Sequence, residues 1–223
     1  YLRSKCYIAM EDFTNALNDL DTAIALAPED PSCYYDRASF HISQEKYDEA
    51  MIDCDLMINL DPEESGSYNY RAMLYVLIED YKKASKDFNK AIKLDPNSTS
   101  IYFYRAKMYN KQKDHDREKA DYLKAIEMNN EDPEGYYYLA LFFVNQNNIL
   151  KALRNFDKAI ENLSLDKGYY ITSENGIDKV ELVDIYIKRA EVYKNAEEFE
   201  LMCEDYENAC NLDDCVMFDK NCK

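Results

Sequence analysis

The sequence predicts an all-α protein, a solenoid of about six stacked helical hairpins with a short C-terminal helix. Three observations carry this. A 34-residue step repeats through Tyr34, Tyr68, Tyr102 and Tyr136, through Arg3, Arg37, Arg71 and Arg105, and through Pro28, Pro62 and Pro96. Only 4 Gly and 5 Pro occur in 223 residues, too few for the frequent turns of a β-sandwich or barrel. Apolar residues make up 47% of the chain, enough to build a packed core.

The step parses the chain into repeats over about 1–30, 31–64, 65–98, 99–132, 133–164 and 183–214, with an insertion over 165–182 and a cap over 215–223, all in one domain spanning 1–223. A period of this length means a supersecondary unit that buries its apolar face only by stacking on its neighbours. Tyr1 falls at the fifth position of a first helix, so the sequence is expected to begin inside that helix. Small residues recur where two helix backbones come close, as at Ala72, Ala84 and Ala91, and Tyr75, Tyr81 and Phe88 fill the space beside them. Pro96 lacks an N–H and disfavours helix in the residue before it, so the second helix of its repeat stops there.

The stretches KYDEAMIDCDLMINLDP (46–62) and DYKKASKDFNKAIKLDP (80–96) resemble the tetratricopeptide repeat, and the resemblance covers nearly the whole chain. It implies a right-handed superhelix of two-helix units, A and B. Two positions depart from the pattern. Glu118 stands where most copies have Ala, and a buried unpaired carboxylate is costly. The fourth repeat is therefore expected to loosen there, or Glu118 to turn to solvent. Met202 fills the same slot in the sixth copy, which implies a wider helix spacing. The insertion holds Gly168 and Gly176. It is expected to extend the preceding helix B, turn near Ser173 to Gly176, and start the last helix A early.

The copies can be compared with one another. The seventh position holds Arg3, Arg37, Arg71, Arg105, Leu139 and Arg189, and the twenty-third holds Asp19, Asp53, Asp87, Asp121, Asn155 and Asp205. The copy that lacks Arg also lacks Asp. Sixteen residues across a helical hairpin bring the two positions level, so the pairs Arg37–Asp53, Arg71–Asp87, Arg105–Asp121 and Arg189–Asp205 are expected to bridge helices A and B within a repeat, as structural devices.

No catalytic chemistry is legible. His41 and His115 are the only histidines, and both take aromatic core positions. No Ser/His/Asp set, Gly-rich phosphate loop or calcium-loop spacing occurs. An enzyme is not expected, nor a cofactor or resident metal. The net charge of −17 argues against nucleic acid, whose phosphates require Lys and Arg. The longest apolar run, Tyr136 to Val144, is too short to insert across a membrane. Four cysteines, Cys203, Cys210, Cys215 and Cys222, crowd the C-terminus. They admit three readings: packing as small apolar residues, a disulfide among them, or a four-thiolate zinc site. The cellular compartment stays open with them.

What remains is a surface. The family resemblance implies that helix A positions 5 and 9 line a concave face. These are Tyr35, Asn69, Phe103 and Tyr137, then Ser39, Met73, Lys107 and Leu141. The expected partner site is therefore Tyr35, Asn69, Met73, Phe103, Lys107, Tyr137 and Leu141, with side chains outside the hairpin cores. The implied function is a protein-binding scaffold that holds an extended peptide or helix of a protein partner. The alternative is a structural module that self-associates as a homo-oligomer or joins neighbours in a larger chain. The Lys/Asn/Arg clamp by which some family members hold a chaperone's C-terminal carboxylate is not rebuilt by Lys5 and Lys107.

Overall fold

The computed structural model describes residues 10, 12–165, 170–172, 179–212 and 216–222. Twelve helices occur among them: α1 (Phe13–Leu26), α2 (Pro31–Ser43), α3 (Tyr47–Leu60), α4 (Ser65–Leu77), α5 (Tyr81–Leu94), α6 (Thr99–Lys111), α7 (His115–Met128), α8 (Pro133–Asn145), α9 (Ile149–Leu165), α10 (Leu182–Asn195), α11 (Phe199–Cys210) and α12 (Val216–Asn221). The pairs α2/α3, α4/α5, α6/α7, α8/α9 and α10/α11 are the A and B helices of the second to sixth repeats. α1 is the B helix of the first, and its A helix lies outside the described residues. The chain divides into two compact units, Tyr1–Ile101 and Tyr102–Lys223, which part inside α6.

Local chemistry sets the helix ends. Asp12, Asp80 and Asp114 cap α1, α5 and α7 by accepting the N–H of Asn15, Lys83 and Arg117. Asp30 and Asp132 do the same for α2 and α8, each with Pro at the first helical position. The turn from A to B puts one residue in the left-handed region each time: Glu45, Glu79, Lys113, Asn147 and Glu197, at φ 54–63°. Glycine ordinarily takes that role. Its absence from all five turns is how a chain with 4 glycines still folds into hairpins. At the other junction, the Tyr34 hydroxyl donates to the Pro28 carbonyl at 2.9 Å and the Tyr68 hydroxyl to that of Pro62 at 3.2 Å. These two periodic Tyr thus tie α2 and α4 to the turn before each.

Alanines mark the close helix contacts. Ala38, Ala50, Ala72, Ala84 and Ala91 are fully buried in the first unit, as are Ala106, Ala140, Ala152, Ala159, Ala190 and Ala209 in the second. Glu118 follows neither expected course. It is buried, but paired: the Asn110 amide donates to it at 2.7 Å and His115 Nδ1 lies 3.1 Å away. Hydrogen bonds from the same hairpin supply what the missing Ala would have made unnecessary. Met202 packs in a terminal cluster with Ala190 and Tyr206.

The insertion departs from the all-helical expectation. α9 does run one turn longer than the 14-residue α3, α5 and α7. A two-stranded antiparallel ladder follows, β1 (Tyr170–Thr172) with β2 (Lys179–Glu181), pairing Ile171 with Val180. β2 occupies the residues expected to begin the last helix A early, so α10 starts only at Leu182. The β-branched Ile171, Thr172 and Val180 suit a ladder better than a helix. The turn expected near Ser173 to Gly176 lies outside the described residues.

His41 is buried in α2, and its Nδ1 has no hydrogen-bond partner among the described residues. Burial lowers its pKa below 6.5; Asp53 opposes this and Arg37 adds to it. The folded protein thus keeps His41 neutral where the unfolded chain would protonate it. Stability from this residue should be full above pH 6.5 and fall as pH drops toward the lowered folded value. Urea unfolding between pH 7.5 and 5 should show that loss, and His41→Phe should flatten it.

α12 caps the last repeat. Met217, Phe218 and Cys222 pack on Ala190, Met202 and Tyr206, and a disulfide joins Cys203 of α11 to Cys222. Cys210 is also disulfide-bonded, and Cys215 lies outside the described residues. Of the three readings of the tail, the disulfide is the one the structure contains; a sulfur so bonded is no thiolate ligand for zinc. A cap of six residues with no fully buried side chain depends on that link. Replacing Cys203 and Cys222 with Ala should cost about 3 kcal/mol, from the model for loops of about this length, read as a lower urea midpoint. Cys54 is free and buried, and burial pushes its thiol up to about 12.

Candidate partner-binding surface

The guanidinium column organises both units. Arg37 donates from Nε to Asp53 Oδ2 at 3.0 Å and from Nη2 to Oδ1 at 2.6 Å. Arg71 meets Asp87 the same way at 2.7 and 3.0 Å, Arg105 meets Asp121 at 2.8 and 2.7 Å, and Arg189 meets Asp205 at 2.8 and 2.6 Å. Each is a two-point bridge between helices A and B of one repeat. The bond to Asp53 is the main influence raising the Arg37 pKa, against the pull of burial.

A second acidic residue, outside the expected pairs, joins three of these. Nη1 of Arg37 donates to Asp21 at 2.7 Å, that of Arg71 to Asp55 at 2.6 Å, and that of Arg189 to Asp157 at 2.5 Å. These acids belong to the preceding repeat. Rings flank the cations: Arg71 lies 5.9 Å from the Tyr68 centroid and 6.0 Å from that of Tyr75, and Arg189 sits likewise between Tyr186 and Tyr193. Arg37, Arg71 and Arg189 therefore each fix their own hairpin and its stacking on the previous one.

The expected partner residues divide by burial. In the first unit, Tyr35 and Met73 are half-buried and Asn69 is buried. Tyr35 packs on Tyr70 with ring centroids 4.5 Å apart, and the Tyr70 hydroxyl shares a 2.7 Å hydrogen bond with Ser39. Asn69 Oδ1 has no hydrogen-bond partner among the described residues. In the second unit, Lys107 and Leu141 are half-buried, while Phe103 and Tyr137 belong to the core, 3% and 8% exposed. Phe103 packs against Tyr122 and Tyr138, and its ring edge comes within 3.5 Å of where a Cβ on Gly135 would stand. Tyr137 packs on Phe156. The expectation that these side chains stand outside the hairpin cores is thus corrected. The adjacent Tyr104 and Tyr138 make α6 and α8 apolar on more than one face, and such a helix buries more than one face. Lys107 Nζ lies 4.3 Å over the Tyr138 ring and 5.4 Å over that of Tyr104.

Three family models, each described as tetratricopeptide repeat, match residues 1–65, 66–98 and 88–120. The chain belongs to the tetratricopeptide-repeat family. No curated protein matches this tetratricopeptide-repeat chain in sequence. Solved structures resemble it in fold. PilW, a type IV pilus biogenesis factor, is 13% identical with TM-score 0.72, over 98% of this chain and 94% of its own. A tetratricopeptide repeat protein from Parabacteroides merdae is 16% identical with TM-score 0.67, over 97% and 78%. PilF of Pseudomonas aeruginosa is 13% identical with TM-score 0.65, over 81% and 75%. Tetratricopeptide-repeat proteins commonly mediate protein–protein interaction, and their members are typically scaffolds. No helix among the described residues is long and apolar enough to cross a membrane, and no group of three metal-ligating side chains occurs among them.

Proposed function

We propose that the protein is a non-enzymatic scaffold that holds an extended peptide or a helix of a protein partner against its A helices. Asn69 carries the reading. Its Oδ1 is buried without a hydrogen bond among the described residues, at a cost of about 1–3 kcal/mol. A bound backbone N–H removes that cost when the amide turns outward. Met73 follows one turn later on α4 and offers an adaptable apolar contact. In the second unit, Lys107 supplies a cation among tyrosines, which suits an acidic side chain or C-terminal carboxylate of the partner. Affinity capture followed by mass spectrometry identifies the partner. Asn69→Leu should then weaken its binding at least tenfold, about 1.4 kcal/mol, without lowering the melting temperature. Unchanged affinity for both Asn69→Leu and Lys107→Glu contradicts the reading.

Self-association has one specific observation in its favour. Lys82, Lys86 and Lys93 form an exposed basic stripe on α5, and Glu200, Glu204 and Glu207 an exposed acidic stripe on α11. None of the six is in an ion pair among the described residues. Sedimentation that shows a salt-sensitive dimer or larger species at micromolar protein favours this second reading over the first.

A further inference from the structure

We propose that Asn97 is an acceptor for N-linked glycosylation and that the protein folds in a secretory compartment. Two independent observations carry this. The first is the sequence Asn97-Ser98-Thr99, an acceptor triplet, together with where the fold puts it. Asn97 is exposed in the turn between α5 and α6, with Thr99 opening the helix. Its backbone N–H donates to Asp95 at 3.0 Å, which fixes the turn and leaves its side-chain amide in solvent without a hydrogen bond among the described residues. The second is the chain's cysteine chemistry. Cys203 and Cys222 are joined and Cys210 is also disulfide-bonded. Structural disulfides form and persist in oxidising compartments and are rare where thiols are kept reduced. The eukaryotic secretory pathway is the oxidising environment that also supplies the glycan donor.

The chemistry is a group transfer. The Asn97 Nδ2 attacks C1 of an oligosaccharide carried on a lipid pyrophosphate. The N–C1 bond forms, the C1–O bond breaks, the lipid pyrophosphate leaves and the amide loses one proton. Thr99 serves recognition of the triplet, and Ser98 is not read.

The fold also distinguishes Asn97 from the one other such triplet, Asn162-Leu163-Ser164. Asn162 is half-buried within α9, its amide donates to the Asn130 carbonyl at 3.2 Å, and Leu163 beside it is buried. A glycan there would break that bond and crowd the repeat junction. At Asn97 it would extend into solvent and disturb no side-chain hydrogen bond among the described residues.

The test is peptide mapping of the unreduced protein from the cells that make it, with and without peptide-N-glycosidase in heavy-oxygen water. The expected result is conversion of Asn97 to heavy-oxygen-labelled Asp, with Asn162 unmodified and the Cys203–Cys222 peptide intact. In the same cells, Asn97→Gln and Thr99→Ala should abolish the label and Ser98→Ala should keep it. Bare Asn97 overturns the proposal, whether the cysteines are found paired or reduced. A glycan on Asn162 alone, or one on Asn97 that survives Thr99→Ala, also overturns it.

Discussion

Arg71→Leu should lower stability by about 3–5 kcal/mol, the range for breaking a buried ion pair from one side. The cause is what stays behind. Asp87 is 5% exposed and receives two hydrogen bonds from Arg71, so removal of the guanidinium strands a carboxylate inside the hairpin. The rings of Tyr68 and Tyr75 lose the cation between them. Adding Asp87→Asn should recover much of the loss. The fifth repeat already carries that pair as Leu139 and Asn155, with Leu139 buried and the Asn155 amide turned to the Lys151 carbonyl at 2.7 Å. Asp55→Ala removes only the half-exposed partner and should cost less than about 1 kcal/mol. Urea midpoints of the four chains check the set. Equal losses in the single and double variants would mean that the charge on Asp87 is not what matters.

Phe103→Ala should cost about 3–5 kcal/mol, the range for truncating a buried aromatic. Its ring fills space bounded by Tyr122, Tyr138 and Gly135. The backbone of α8 is held close there, because a Cβ on Gly135 would meet Ile126 at 2.7 Å. Helices so placed collapse poorly onto a void. Phe103→Leu should cost less, because it keeps part of the volume. Thermal unfolding of both variants decides; a loss below about 1 kcal/mol for Ala would place Phe103 on the surface after all.

The repeats were legible because their determinants are local and periodic. Tyr47, Tyr81, His115 and Ile149, which open four B helices, follow the same 34-residue step as Arg37, Arg71 and Arg105. The insertion has no such step. Its strand pairing is set by contacts between Tyr170–Thr172 and Lys179–Glu181 that no periodicity announces. The second acid on Arg37, Arg71 and Arg189 was within reach of internal comparison. Asp21, Asp55 and Asp157 share one position, and Leu123 takes it in the copy that precedes Leu139. The burial of Phe103 and Tyr137 was less legible. It follows from ring packing by residues at neighbouring positions and from Gly135, where position alone suggests a row facing outward. The tail was legible only as a cluster of cysteines. α12 folding back on α11 is what brings Cys203 to Cys222.

The central claim is that the A helices receive the partner. Amide hydrogen exchange of the protein with and without its captured partner tests it most directly. Slower exchange on binding should centre on α4 around Asn69 to Met73 and on α6 around Lys107. Protection confined to the B helices α3, α5 and α7, or to the strand ladder at 170–181, would contradict it.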